Sequence, residues 1–472
     1  MKRMRWHDYI TYNLYWLGLN MATGSLTPII LPFVVAHFVG DAVKGTHLGM
    51  LRSAGLLVAI LVQPAAGLLS DRSMLRVGRR RPFIILGTLL DMVFLAMIAF
   101  AGSYWLLFAA VLLLQFSSNI AHGALQGLIP DRVPEDQRGR ASAVKAVMEL
   151  LPVILVGFTT APLVGTGRLT LAIGLVMAFL LVTMVITVLA VREEPRVEPA
   201  DEPLWPQMRR IVLLTLIFGV VTTVFGGLVG AVGRLLRGMG VAQLVGVGLA
   251  GLAAMAGAIV LGVWWSAQIG IGEGAQKYPS FTWWVVNRLL YLASVGSIQG
   301  FAQYFLQDVV RVENAPVATG TLLRVVGVFT VVSALASGWL SDKLGRKMLV
   351  GLSGLTAAVG TSLLFVAQSM TVVVLSGIII GLSAGIFLTV NWALGTELVP
   401  AGEAGLYLGV SNLAGAGAGV VGAGIGGPLA DFFNAYQRGL GYLVIFAIYG
   451  ALFLLSSVTL VKVRPAQQGR PA

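Results

Sequence analysis

Apolar blocks of roughly 20 to 30 residues recur along the chain, and each could cross a hydrocarbon core of about 30 Å as a helix. Charged residues are too few to cover a water-facing surface. They make up only 11% of the 472 residues, against about 25% in soluble domains. Continuous apolar blocks also differ from the alternating strands of an outer-membrane barrel. The sequence therefore predicts an all-α polytopic membrane protein and excludes a soluble enzyme.

Hydropathy predicts about fourteen spans, and the first is too long to be a cleaved signal segment. With both termini in the cytoplasm, most Lys and Arg residues fall in cytoplasmic loops, as the positive-inside bias requires. We therefore expect a multi-pass protein of the cell (inner) membrane. The formal charge of +12 then reflects loops rather than a nucleic-acid surface. The predicted spans are 9–37, 46–69, 82–102, 104–129, 142–165, 169–191, 211–232, 241–265, 281–306, 317–340, 348–368, 371–396, 405–430 and 440–461.

Two pairs of motifs indicate that the chain contains two homologous halves. A loop motif after the second span recurs with its Asp 271 residues later, and Asp131-Arg-Val-Pro134 recurs as Glu397-Leu-Val-Pro400, 266 residues later. Two independent motifs with nearly one displacement predict parallel repeats. The loop motif consists of Gly67, Asp71, Arg72, Gly78, Arg79 and Arg80, and its copy consists of Gly338, Asp342, Lys343, Gly345 and Arg346.

The displacement is longer than one half, so the chain must carry an insertion. We predict a six-helix bundle at residues 1–195, a linker with an inserted two-helix hairpin at 196–279, and a second six-helix bundle at 280–472. A pair of added helices keeps both motif loops on the cytoplasmic side, which a single helix would not. The charged, Pro-rich start of the insertion is typical of an extended linker.

The duplicated loop motif resembles the signature of the major facilitator superfamily. Residues 76–84 (Arg-Val-Gly-Arg-Arg-Arg-Pro-Phe-Ile) are similar to the sucrose-transporter-like branch, which is allied to the glycoside–pentoside–hexuronide symporters. Asn119-Ile-Ala-His122-Gly123 resembles the Asn-x-x-Gln-Gly element of that branch. The resemblance covers both halves but not the insertion. It implies the major facilitator fold and secondary transport by alternating access, with a sugar or glycoside as solute and H⁺ as the candidate coupling ion.

The sequence departs from the plant sucrose symporters of that branch at two positions. They carry an Asp eight residues before the glycine at position 123, where this chain has Gln115. They carry an Arg three residues after it, where this chain has Gln126. The resemblance therefore does not imply proton coupling through that Asp.

The loop motif predicts a latch on the cytoplasmic side. An Asp at a helix end can face the positive end of another helix dipole and bind nearby guanidinium groups. Asp71 and Asp342 would hold the two halves together in this way. The alternative is that the basic residues only fix topology and that Gly67 and Gly338 only allow close helix packing.

Ionisable residues inside spans are candidates for ion coupling, because burying a charge in a membrane is costly. Asp91 lies near the middle of the third span without a basic residue within one turn. Glu149 follows Lys145 by four residues, a spacing that also predicts a simple ion pair. His122 could relay protons or could be a hydrogen-bonded structural residue.

Neutral amide and aromatic side chains inside the spans would suit a hydroxyl-rich solute. Gln299, Gln303 and Gln307 form a stripe along the ninth span, which must face protein or a water-filled cavity. The alternatives are hydrogen bonds between helices and, for Arg288, snorkelling beside interfacial aromatic residues. The candidates for solute binding are Asn20, Gln115, Asn119, Arg288, Gln299, Gln303, Asn391, Trp392 and Asn412.

These features predict a secondary transporter for a small polar solute and not an enzyme. The chain has no Gly-x-x-x-x-Gly-Lys phosphate loop and no His-Glu-x-x-His metal motif, so we expect no cofactor and no metal. A drug or metabolite exporter and a transporter-like assembly or pigment-handling factor remain as alternatives. The expected partners are the solute, H⁺ and the lipid bilayer, without nucleic acid, and the expected state is a monomer.

Overall fold

Long α-helices joined by short turns make up the described part of the chain. The computed structural model describes residues 4–191, 193, 203–272, 274–399 and 404–464, and the regular elements in these residues are helices. The fourteen long helices are α1 (Trp6–Val39), α2 (Lys44–Asp71), α3 (Arg81–Ala99), α4 (Tyr104–Arg132), α5 (Glu135–Gly165), α6 (Leu169–Ala190), α7 (Leu204–Leu235), α8 (Val241–Ile271), α9 (Pro279–Phe305), α10 (Ala315–Leu344), α11 (Arg346–Val366), α12 (Met370–Glu397), α13 (Ala404–Asn434) and α14 (Leu440–Lys462).

Within the described residues, thirteen helices are long and apolar enough to cross a membrane, which confirms the predicted all-helical membrane fold. The fourteenth long helix, α9, has 27 residues and occupies the position of the predicted span 281–306. It is less apolar than the others because polar residues, among them Asn287, Arg288 and Gln303, interrupt it.

The two motif loops turn at glycine. Gly78 has φ 112° and Gly345 has φ 83°, a region that glycine adopts readily because it lacks a Cβ atom. Gly345 alone separates α10 from α11, and Gly78 lies three residues before α3. In each half the motif glycine therefore allows the chain to reverse between its second and third helices.

The chain divides into two compact units. The first comprises Met1–Gly40, Ala54–Val212 and Asn314–Gly327, and the second comprises Asp41–Ser53, Leu213–Glu313 and Val328–Ala472. Both α2 and α10 are thus shared, with their first residues assigned to one unit and the rest to the other. The domain boundaries predicted at residues 195 and 280 follow the sequence repeat and stay a prediction. Residues 194–202, which include most of the predicted linker, lie outside the described residues.

The first unit contains a close helix crossing between α2 and α4. A Cβ atom on Gly123 would overlap the carbonyl oxygen of Gln63 and lie 2.9 Å from the backbone nitrogen of Gly67. A Cβ atom on Gly67 would reach only ordinary contact, 3.5 Å from the carbonyl oxygen of Gly123. Two glycines from different sequence motifs therefore meet at one crossing. Elsewhere in this unit α1 packs against α5 and α6, and α3 packs along α4.

The second unit includes the helices of the inserted hairpin. Helix α8 packs mainly along α13 and also contacts α9, while α9 packs against α13 and α14. The buried ring of Phe218, from α7, fills the space beside Gly417 of α13. Leu249 and Trp264 on α8 remain exposed, as expected for a helix at the periphery of a bundle.

Candidate functional site

Arg80 is the centre of the first loop motif, and its side chain is 6% exposed. Its guanidinium pairs with Asp71 at the end of α2 and with Asp131 at the end of α4, where Nε lies 3.0 Å from Oδ2. Nη1 also donates to the hydroxyl of Ser70 over 2.7 Å. The guanidinium lies against Gly127, where a side chain would collide with it. One planar cation thus ties the ends of α2 and α4 to the start of α3.

The neighbours of Arg80 extend this network. Arg79 Nη2 lies 2.5 Å from Asp131 Oδ2. One carboxylate oxygen of Glu193 accepts hydrogen bonds from the backbone N–H groups of Arg80 (2.9 Å) and Arg81 (3.0 Å), at the N-terminus of α3. An anion at this end satisfies backbone donors and is stabilised by the helix dipole. Sequence reasoning missed Glu193, because the charged run after α6 gives no sign of which carboxylate reaches α3. Arg72 is half-exposed.

The second motif is more open than the first. Asp342 and Lys343 are exposed, and Gly338 has open space around it. Arg346 forms the ion pair of this copy, with Nη1 2.6 Å from Oε1 of Glu397. Each copy of the motif therefore has its own arrangement of charges.

One ion pair is nevertheless common to both halves. The bridge between Arg79 and Asp131 corresponds in the repeat to the bridge between Arg346 and Glu397, and each joins the loop after the second helix of its half to the end of the fourth. The buried guanidinium of the first copy has no counterpart, since Lys347 stands there and donates to a backbone carbonyl at the end of α14. These contacts lie within single units, so the predicted latch between halves stays a prediction.

In the first unit, three predicted residues gather around one indole. The Nζ of Lys145 lies 4.0 Å from the ring centroid of Trp16, and the ring of His122 meets the same indole edge-on at 5.1 Å. Lys145 also pairs with Glu149 over 3.5 Å, as their spacing predicts. Helices α1, α4 and α5 thus bring together a cation, a carboxylate and an imidazole.

The predicted amides of this unit are oriented by their own helices. Asn119 Nδ2 donates to the backbone carbonyl of Gln115 (2.7 Å) and to its side-chain oxygen (3.2 Å). Asn20 Nδ2 donates to the backbone carbonyl of Trp16 over 2.9 Å. Asn20 and Gln115 are half-buried, whereas Asn119 is buried. Asn20 therefore lies on the same helix as the indole, one turn further along.

Asp91 is fully buried between α3 and α4. Its Oδ1 accepts a hydrogen bond from the hydroxyl of Ser117, and its Oδ2 has no hydrogen-bond partner in the residues that the structure describes. A carboxyl with a single neutral donor is costly to keep charged in this environment. Among the described contacts, no hydrogen bond or ion pair joins Asp91 to the group around Trp16.

In the second unit, α9 and α12 place Arg288 beside Asn391 and Trp392. Arg288 Nη1 donates to Asn391 Oδ1 over 3.3 Å, and the guanidinium lies 4.9 Å from the ring centroid of Trp392. Asn391 Nδ2 donates in turn to Asn287 Oδ1 (2.8 Å), and Trp284 Nε1 donates to the backbone carbonyl of Asn391 (3.0 Å). Sequence reasoning missed Asn287 and Trp284. The available signal was an amide directly before Arg288 in an apolar helix.

The three remaining candidates lie in different surroundings. Gln303 is 2% exposed, Gln299 is half-buried and Asn412 is exposed. The predicted amide stripe of α9 is thus buried only in part.

A charged cluster that the sequence did not predict lies in the second unit. Lys44 Nζ is 2.8 Å from Asp41 Oδ1 and 2.8 Å from Asp308 Oδ2, and Arg438 Nη2 is 2.8 Å from Asp308 Oδ1. The hydrogen bond from Lys44 lowers the pKa of the Asp41 carboxyl, and the hydrogen bonds to Asp308 raise the pKa of Arg438. Lys44 is completely buried, which two carboxylate partners make tolerable.

Known proteins resemble the chain in parts of their sequence. The chain is 33% identical to the general alpha-glucoside permease of Schizosaccharomyces pombe over 106 residues, 19% of each protein. It is 26% identical to the sucrose transport protein SUC3 of Arabidopsis thaliana over 216 residues, 38% of this chain and 35% of the relative. It is also 26% identical to the multi-drug resistance efflux pump PmrA of Streptococcus pneumoniae over 187 residues, 39% and 43% of the two. Each match thus spans less than half of the relative.

Solved transporter structures share the fold along nearly the whole chain. A POT family transporter bound to a thioalcohol-conjugated peptide has a TM-score of 0.69 at 13% identity, and covers 96% of this chain and 95% of its own. The nucleoside transporter NupG has a TM-score of 0.64 at 11% identity, covering 97% and 98%. The family model described as Major Facilitator Superfamily matches residues 14–306 and 289–472. With both halves matched and the transporter fold present throughout, this chain is a membrane transporter rather than an enzyme, and it belongs to the major facilitator superfamily.

Proposed function

We propose that this transporter moves a sugar or a glycoside across the membrane by alternating access. The observation that carries the proposal is a pair of polar groups, one in each unit, built around an indole. Trp16 lies beside Lys145 and His122 in the first, and Trp392 lies beside Asn391 in the second. Indole faces stack on flat apolar sugar faces, while amides and cations hydrogen-bond hydroxyl groups.

Three relatives support this choice by name. Besides the alpha-glucoside permease and the sucrose transport protein, the minor myo-inositol transporter IolF of Bacillus subtilis is 36% identical over 90 residues, 19% of this chain and 20% of the relative. All three are named for polyhydroxylated solutes.

Uptake into proteoliposomes tests the proposal. Purified protein is reconstituted and supplied with radiolabelled maltose, sucrose or myo-inositol. Trp16→Ala and Trp392→Ala are expected to lower uptake roughly tenfold or more, because each removes a stacking face. Trp105→Ala is the matched control, since that indole is 66% exposed. If none of these solutes, nor any member of a wider panel of sugars, enters, the proposal is wrong.

Proton coupling through Asp91 is a separate part of the proposal. Its burial and single neutral hydrogen-bond donor suit a carboxyl that is protonated in one step of the cycle and released in another. Asp91→Asn keeps the shape of the side chain but cannot titrate. We expect this variant to equilibrate the solute without accumulating it against a gradient when the interior is alkaline. Unchanged gradient-driven accumulation would show that Asp91 is not the proton site.

Drug export is the second candidate, because the match to PmrA covers the largest share of any relative compared above. Ethidium efflux from energised inverted vesicles separates the two functions. Export without sugar uptake would favour this candidate.

A further inference from the structure

Arg288 is a cation within a membrane helix that has no carboxylate partner among the described residues. Its guanidinium forms one printed hydrogen bond, to the neutral amide of Asn391, and its Nε is buried without a partner in the described residues. Lys44, Arg80 and Arg346, in contrast, each pair with a carboxylate. Because an uncompensated charge in a low-dielectric site is unfavourable, an anion beside Arg288 would stabilise it.

The other arginines inside spans occupy closed packing sites. The guanidinium of Arg52 lies directly against Gly300, and its Nη2 donates to the carbonyl of Gly296 over 3.0 Å. Arg324 lies 4.6 Å from the ring centroid of Phe158. Neither is beside an amide and an indole that could contact a solute, as Arg288 is.

The surroundings of Arg288 leave its donors directed but not used up. Asn391 is itself held by Asn287, so its side-chain oxygen is fixed towards the guanidinium. The guanidinium lies between two indoles, 4.9 Å from Trp392 and 5.9 Å from Trp284, and the side chain as a whole is half-buried. Arg288 is nine residues into α9, about 14 Å along the helix, which is near the middle of a bilayer core.

The duplication argues against a purely structural role for this residue. The displacement of 271 residues that relates the loop motifs places Leu17 at the matching position of the first half. Leu17 is a buried apolar residue of α1. A cation at this point is therefore not required by the repeated scaffold.

We propose that Arg288 binds a carboxylate of the solute, so that the sugar or glycoside carried is an anion. The planar guanidinium matches two carboxylate oxygens, and the neighbouring indole of Trp392 can stack on the sugar ring that bears them. Since this rests on the transport function proposed above, the test must separate failure of the substrate class from failure of transport.

Matched pairs of solutes provide that test. Thermal unfolding of the purified protein is followed with D-glucuronate against D-glucose and with D-galacturonate against D-galactose, which differ in the carboxylate alone. The acidic member of at least one pair is expected to raise the unfolding temperature of the wild type more than its neutral twin. Arg288→Gln is expected to weaken that effect about tenfold or more in apparent affinity. Arg288→Lys, which keeps the charge but loses the planar fork, should lie between the two.

Lys462→Gln is the matched control, because Lys462 also sits over an indole, 4.0 Å from Trp283, but is exposed. This variant should respond as the wild type does. The unfolding temperature without solute shows whether each variant is folded. If Arg288→Gln fails to fold, Arg288→Lys decides the matter.

Three outcomes would overturn the proposal. One is equal or stronger stabilisation by the neutral twins in both pairs; neutral-sugar uptake in proteoliposomes would then leave the transport function standing. Another is full retention of the acid effect in Arg288→Gln. The last is an acid effect that disappears when phosphatidylglycerol replaces phosphatidylcholine in the vesicles, since a lipid phosphate would then be the partner of Arg288. Failure of every sugar, acidic or neutral, to bind or to enter would instead remove the transport function itself.

Discussion

At the residue scale, the crossing of α2 and α4 depends on Gly123. Its neighbours across the crossing are backbone atoms of Gln63 and Gly67, which cannot rotate away as a flexible side chain could. Gly123→Ala is therefore expected to lower the free energy of unfolding by about 1–3 kcal/mol, through forced displacement of α4 from α2. Thermal unfolding in detergent measures the change.

Gly338→Ala is the control for Gly123→Ala, because Gly338 belongs to the repeated motif but has open space around it. Alanine there should be neutral or stabilising by up to about 1 kcal/mol, since it favours helix over glycine. Equal destabilisation by the two substitutions would contradict the packing argument.

The acid response of the cluster around Lys44 also belongs to single residues. Because the hydrogen bond from Lys44 lowers the pKa of Asp41, this carboxylate stabilises the folded state at pH values above its unfolded pKa of about 4. That contribution is lost as the pH falls through the lower, folded pKa. Arg438 stays charged throughout, since its pKa is raised. We therefore expect Asp41→Asn to cost less than about 1 kcal/mol, because the Asp41 side chain is 57% exposed.

Unfolding temperatures between pH 8 and pH 3 check this expectation. The difference between wild type and Asp41→Asn should be constant from pH 8 to pH 5 and should shrink below pH 4. Asp342→Asn, at an exposed carboxylate, serves as the control. A difference that grows with acid would show that the sign is wrong.

At the scale of the element, the repeat preserves one bridge between a loop and a helix end. In the second half Arg346 and Glu397 pair mainly with each other, and each is between a third and two fifths exposed. Arg346→Glu alone should destabilise by about 0.5–1 kcal/mol, and adding Glu397→Arg should restore most of that loss. A double-mutant cycle of thermal unfolding measures the coupling.

The same exchange in the first half is the contrasting case. Asp131 pairs with both Arg79 and the buried Arg80, so an arginine at position 131 would face Arg80. The double exchange Arg79→Glu with Asp131→Arg is expected to remain destabilised. Equal rescue in the two halves would mean that the extra contacts of Arg80 do not matter.

At the scale of the whole molecule, the duplicated motif loops are predicted to lie on one face of the membrane. The chain has no cysteine, so single-cysteine variants report topology without background. Arg76→Cys and Lys343→Cys, both at exposed positions, should react with a membrane-impermeant thiol reagent in inverted vesicles but not in intact cells. Thr166→Cys, in the exposed turn between α5 and α6, should react in intact cells. Labelling of positions 76 and 343 from opposite faces would contradict the parallel repeat.

The sequence alone determined the helical membrane fold, the position of nearly every long helix and the family. These follow from the length of apolar blocks and from motifs written twice in the chain, both of which are local properties. The ion pair between Lys145 and Glu149 was predictable for the same reason, since one helical turn separates them.

Only the tertiary structure decided which distant side chains meet. Lys44 and Asp308 lie far apart in the chain, as do Arg80 and Glu193, and no local pattern pairs them. Asn287 became important only because α12 brings Asn391 against it. Such contacts depend on how each helix is rotated and tilted against its neighbours, and packing of the whole unit sets those angles rather than any single stretch of residues.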